Sequence, residues 1–167
     1  MRFFLLLLCL PFFKEDLSAY RKLLDHSLKD EATADRFYET LKTVKEDAEP
    51  VMVGFKAMSE FMLCNHLINP LSKLSHFKKG RRLLEGAIKR DPQHPELLFF
   101  RLSTQSSIPA MLKYKMNITE DKLALIRYLK TAAGQSAEDK VLHNRIKAYL
   151  LINQYCSAEE KAMIKKI

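Results

Sequence analysis

The chain is expected to be all-α, built of antiparallel helical hairpins stacked as a short array, and three observations point there. Its 167 residues include only four glycines and six prolines, too few for a fold rich in tight turns. No stretch alternates β-branched and polar residues as a half-buried strand would. Between proline-marked breaks, apolar residues return every three or four positions, the repeat of one helix face.

Leu17, Tyr20, Leu24 and Leu28 stand at this spacing, so the first helix is expected over Lys14–Ser27. Asp30 is placed to cap a second, Glu31–Lys45, with Phe37, Tyr38, Leu41 and Val44 facing inward. Glu49-Pro50 opens a third, Val51–Leu67, whose polar residues Lys56, Ser59 and Glu60 gather on one narrow side. It should be the most buried helix. Its Met52, Met58 and Met62 suit gap-filling in a core, or an adaptable groove for a partner.

After a break at Asn69-Pro70, Ser72–Arg90 carries the clearest two-sided pattern. At about 100° per residue, Phe77, Gly80, Leu84, Ala87 and Ile88 share one stripe. Lys78, Arg82, Glu85 and Lys89 lie opposite, with Glu85 and Lys89 in the favourable i,i+4 order. Glycine costs about 1 kcal/mol against alanine inside a helix, so Gly80 on the buried stripe signals a close neighbouring backbone. Pro92 ends the helix, and Pro95 suits the first turn of the next. The run from Leu97 to Leu102 should be buried on most sides, and polar Ser103–Ser107 should close it. Ile108–Lys115 is a short helix or an ordered loop. Thr119 is expected to cap Glu120–Ala133, with Gly134 as its stop. Ser136 and Asp139 begin Ala137–Gln154, and Ser157 with Glu160 forms a capping box for a final short helix.

Gly80, Leu84, Ala87 and Pro92, a small residue followed by a large one, an alanine and a proline, resemble the second helix of a tetratricopeptide repeat. The resemblance covers one helix and its turn. No Trp-x2-Leu-Gly-x2-Tyr precedes it, and the partial echo at Ala34, Tyr38 and Leu41 lies 46 residues upstream, with Glu46 where the proline belongs. The chain also resembles uncharacterised exported bacterial proteins of helical-hairpin type. That resemblance implies a scaffold and supplies no catalytic motif.

The length suits one helical domain, expected over residues 20–167. The 28 Lys and Arg residues against 20 Asp and Glu leave a net charge of +8, which attracts anionic surfaces without naming one. Met1-Arg2 and the apolar run over residues 3–13, before Lys14-Glu15-Asp16, make residues 1–19 a secretory signal or an uncleaved anchor. An amino-terminal core helix is the alternative. Cys64 and Cys156 either pair, in an oxidising compartment, or sit apart as small buried thiols.

Catalytic signatures are missing. His26, His66, His76, His94 and His143 are scattered, without the spacing of a metal site, although His66 and His76 flank the same break. Cys64 and His66 are two apart on one helix and point about 200° away from each other, which rules out a nucleophile with its base. No cofactor or metal is expected. The functional expectation is therefore a non-catalytic protein- or peptide-binding scaffold of the cell envelope, exported and meeting its partner with a basic face of Lys78, Arg82 and Lys89. A basic nucleic-acid-binding protein, using the six cations between Lys78 and Arg90, and an enzyme without recognisable motif are the alternatives.

Overall fold

The computed structural model describes residues 17–131 and 137–167. The expected signal segment, up to residue 16, and the Gly134 stop lie outside the described residues. Within them the protein is all-helical: α1 (Ser18–Ser27), α2 (Glu31–Leu41), α3 (Pro50–His66), α4 (Pro70–Arg90), α5 (Pro95–Ser107), α6 (Ile118–Thr131), α7 (Ala137–Ile152) and α8 (Ala158–Lys166), with a 3-10 turn at Ala110–Leu112.

Local chemistry sets most of the boundaries. Asp30 accepts a hydrogen bond from the Thr33 amide at the start of α2. Asn69 accepts from the Leu71 and Ser72 amides at the start of α4. Ser157 and Glu160 exchange the two bonds of a capping box at α8. Prolines occupy the first turn of α3, α4 and α5, where the missing N–H has no intrahelical partner to lose.

Helix directions follow from contact registers. Ala57 and Phe61 of α3 meet Gly80 of α4, while Cys64 meets Lys73, so positions rise on one helix as they fall on the other. The same holds for α5 and α6, through Arg101 with Asp121 and Gln105 with Asn117. By contrast Gly54 and Met58 of α3 meet Leu97 and Thr104 of α5, rising together. Phe99 and Ser106 of α5 likewise meet Tyr149 and Asn153 on and just beyond α7. Tyr20 and Ser27 of α1 meet Phe55 and His66 of α3 in rising order, so α1, α3, α5 and α7 run one way, and α4 and α6 run against them.

Helix α3 is the spine. All twelve residues from Met52 to Leu63 are buried, and α3 touches α1, α2, α4 and α5. Its narrow polar side, expected from the sequence, is buried as well, and each residue on it has a partner. The Lys56 ammonium donates to the Val44 carbonyl, Ser59 donates to the Lys56 carbonyl, and Glu60 meets His76 and Lys79 of α4, each at 2.6 Å. Two glycines let its neighbours close in. A Cβ on Gly80 would stand 3.0 Å from the Ala57 carbonyl oxygen and 2.9 Å from the Phe61 ring; one on Gly54 would stand 2.3 Å from the Leu97 side chain. The stripe of Phe77, Gly80, Leu84, Ala87 and Ile88 is buried in full.

Two buried ion pairs tie the layers. Arg21 of α1 holds Glu96 of α5 at 2.8 and 2.7 Å, and Arg101 of α5 holds Asp121 of α6 at 2.8 and 2.7 Å. The expected Glu85–Lys89 pair does not form. Glu85 is half-buried, and it accepts instead from Arg101 at 3.0 Å and from the Tyr114 hydroxyl at 2.5 Å. Other expectations shift at the ends. Helix α5 runs through Ser107, because Ser103 and Ser107 satisfy their hydroxyls on carbonyls of the preceding turn and do not break the helix. Helix α2 stops at Leu41, short of the expected Lys45. Helix α6 begins at Ile118, ahead of Thr119, with Asn117 anchored to Gln105 and bonded to Glu120.

The three described glycines should separate by context. Gly80→Ala and Gly54→Ala must displace a packed neighbour and should each lower stability by about 1–3 kcal/mol. A Cβ on exposed Gly86 meets nothing within 4 Å, so Gly86→Ala should raise stability by about 0.5–1 kcal/mol. Urea unfolding of the three variants measures the difference. Equal effects would contradict the close approach of α3 to α4 and α5.

Candidate functional site, an apolar groove

Toward the C-terminal ends of the parallel helices an opening remains between their side chains. Leu24 on α1, Met58 and Met62 on α3, Phe77 on α4, and Phe99 and Phe100 on α5 surround a groove of about 830 Å³. Tyr149 of α7 and the segment from Ile108 to Leu112 form its remaining walls. The walls come from C-terminal halves of α1, α3 and α5 because the chain must turn there.

The rim is unusually apolar for a surface. Leu28 and Met111 line the groove while 57% and 83% exposed, and Leu74 lines it more than a third exposed. Ile68 and Leu71, at the adjoining corner between α3 and α4, are also largely exposed. Isolated exposed leucines are ordinary, but Leu28, Leu74 and Met111 leave three large apolar side chains open at the edge of one groove.

Polar groups are few. Arg145 of α7 binds Asp25 of α1 through both terminal nitrogens, one at 2.8 Å, which bridges the groove between its first and last walls. Lys73 is exposed on α4 and makes no ion pair among the described residues. Ser103, Thr104 and Ser107 add hydroxyls along α5. Cys64 lines the groove, but burial and then the nearby Glu60 charge push its thiol up to about 11. A thiol this reluctant to ionise is a poor nucleophile. Tyr149 is also raised, by burial. Among the described residues no cluster of three or more His, Cys, Asp or Glu could hold a metal ion. What this arrangement can do is bind, through apolar contact with a few charges at the edge.

The basic face lies elsewhere, and of its three residues the protein itself engages Arg82. Arg82 makes two bonds to Glu46, at 2.6 and 2.8 Å. Arg90 donates to the carbonyls of Glu46, Asp47 and Ala48, fastening the loop before α3. Lys79 is held by Glu60, and Arg81 stacks 4.6 Å from the Tyr114 ring centre. Lys78 and Lys89 are exposed and make no ion pair among the described residues. His66 and His76 do not meet: His66 bonds the Ser27 carbonyl at 2.7 Å, and His76 bonds Glu60. Cys64 and Cys156 are unpaired thiols, the first beside the groove and the second buried after α7.

Met58 and Met62, and the aromatics Phe99, Phe100 and Tyr149, were readable from the sequence as residues of either core or groove and all line it; the exposed rim was not foreseen. One signal was present. Ile68, Leu71 and Met111 sit in or beside loops, where an inward stripe gives no reason for large apolar side chains. The chain matches no family model, no curated protein and no solved structure. No helix among the described residues is long and apolar enough to cross a membrane.

Cys64 offers a chemical test of this geometry. At pH 8 its alkylation by iodoacetamide, followed by peptide mass spectrometry, should run roughly a hundredfold slower than that of an ordinary thiol with pKa near 8.5. A rate matching the free thiol would show that α3 and α4 leave it open to solvent.

Proposed function

We propose that the protein is a non-catalytic binding module that receives an apolar segment of a protein or peptide partner in the groove between α1, α3, α5 and α7. The observation that carries this is the open apolar cleft with Leu28, Leu74 and Met111 on its edge. Leaving such side chains in water forgoes about 25 cal/mol for each Å² of apolar surface, which a partner would recover on docking. Met58, Met62 and Met111 suit a surface that adapts to its ligand, since methionine is unbranched and polarizable. The tetratricopeptide-like spacing in α4 supports the same reading, because stacked helical hairpins present concave surfaces to peptides. The cell-envelope setting belongs to this proposal and rests on the apolar run over residues 3–13.

Selection of a displayed peptide library on the immobilised protein tests the reading. Leu28→Glu and Met111→Glu change exposed positions and should leave the circular dichroism and Tm unaltered. Enriched peptides should share apolar residues at i, i+3 or i+4, and i+7, and should bind both variants at least about tenfold more weakly, or 1.4 kcal/mol. Enrichment of nothing, or of peptides indifferent to both variants, would overturn it.

A further inference from the structure

The groove has a charge asymmetry that selects among apolar partners. Three charged side chains line it: Asp25, Arg145 and Lys73. Asp25 and Arg145 neutralise each other. Lys73 stands exposed with no acid beside it among the described residues, which leaves this edge with a surplus of one positive charge. Arg145 is not available in the same way. With both terminal nitrogens committed to Asp25, its Nε is buried and has no acceptor among the described residues. That Nε is closed off from solvent, which leaves Lys73 as the charge a partner can meet.

The size of the groove narrows the choice further. An amphipathic helix about 10 Å across lays one face into an apolar groove of this kind, and walls from five helices offer it an opening of about 830 Å³. Two turns of an amphipathic helix present three or four apolar side chains on one face, enough to meet walls drawn from several helices.

Building on the binding reading above, we infer that the partner is an amphipathic helix whose apolar face is flanked by an acidic side chain, placed to meet Lys73. The methionines and phenylalanines supply most of the affinity. Lys73 sets which end of the helix enters and discriminates against basic partners, because like charges at an interface edge repel.

The test uses the full chain and three synthetic amphipathic helices, identical except for Glu, Gln or Lys at the flanking position, measured by fluorescence anisotropy. At about 0.05 M ionic strength the Glu peptide should bind about fivefold or more tighter than the Lys peptide, and the gap should shrink at about 0.5 M. Lys73→Glu should invert the order while leaving Tm unchanged. Binding of all three with equal affinity, before and after Lys73→Glu, would overturn the acidic-flank inference and leave the binding reading intact. Failure of every peptide, with a fluorescent fatty acid bound instead and displaced by Leu28→Glu, would overturn both in favour of a lipid. A photo-crosslinker at Met111 that joins residues 3–13 of the same chain, or a second copy, would likewise assign the groove to that occupant and overturn the inference.

Discussion

Everything in the molecule is arranged around the tight seating of α3 between α4 and α5. Helix α4 lines up against α3 from Cys64–Lys73 to Ala57–Gly80, and Gly54 admits Leu97 from the other side. Side chains at either glycine would hold the helices apart, since interiors are packed as closely as organic crystals and have little room to give. Because α3 is enclosed on all sides, its three polar residues had to find partners inside the protein. Each did so in a different place: Lys56 on the loop after α2, Ser59 on its own helix, and Glu60 on α4.

This spine also accounts for where the groove lies. The glycine contacts lie between Gly54 and Phe61 of α3, and Met58, Phe61, Met62, Cys64 and Asn65 carry the same helix on into the groove wall. Met58 and Met62 are at the transition. They are nearly buried yet form part of the groove floor, so a single pair of side chains serves both the interior and the cleft. The Asp25–Arg145 bridge then joins α1 to α7 across the opening, and the buried pairs Arg21–Glu96 and Arg101–Asp121 fix α5 against α1 and α6. Buried pairs of this kind add little net stability compared with apolar packing, but they punish alternative arrangements that would leave a charge unpaired.

The helical architecture was legible because it is encoded locally. Capping residues Asp30, Asn69 and Ser157, prolines 50, 70 and 95, and the Phe77–Ile88 stripe all specify helix ends or faces from a few neighbouring residues. Gly80 even revealed a tertiary contact, since a glycine weakens its own helix and on a buried stripe is compensated by the neighbour it lets in. What could not be read depends on residues distant in the chain. Glu85 looks like a surface partner for Lys89 until Arg101 and Tyr114 arrive from α5 and the loop beyond it. Of the basic face of Lys78, Arg82 and Lys89, only Arg82 is met among the described residues, by Glu46 arriving from the loop before α3. Serines 103 and 107 look like a helix stop, although their hydroxyls are satisfied by the helix itself. The groove is the extreme case, because a cavity is made by side chains from several separated segments and no one of them carries its signature. The methionines of α3 and the surplus of apolar residues near corners hinted at it.

Native-state hydrogen exchange followed amide by amide is the sharpest check on the role of α3. If close seating on two glycines holds the molecule together, amides from Met52 to Leu63 should form the slowest set and exchange only through global unfolding, while those of α7 and α8 open at lower free energy. Exchange of the α3 amides as fast as those of α7 would show that the spine lies elsewhere, and the groove would then need a different structural cause.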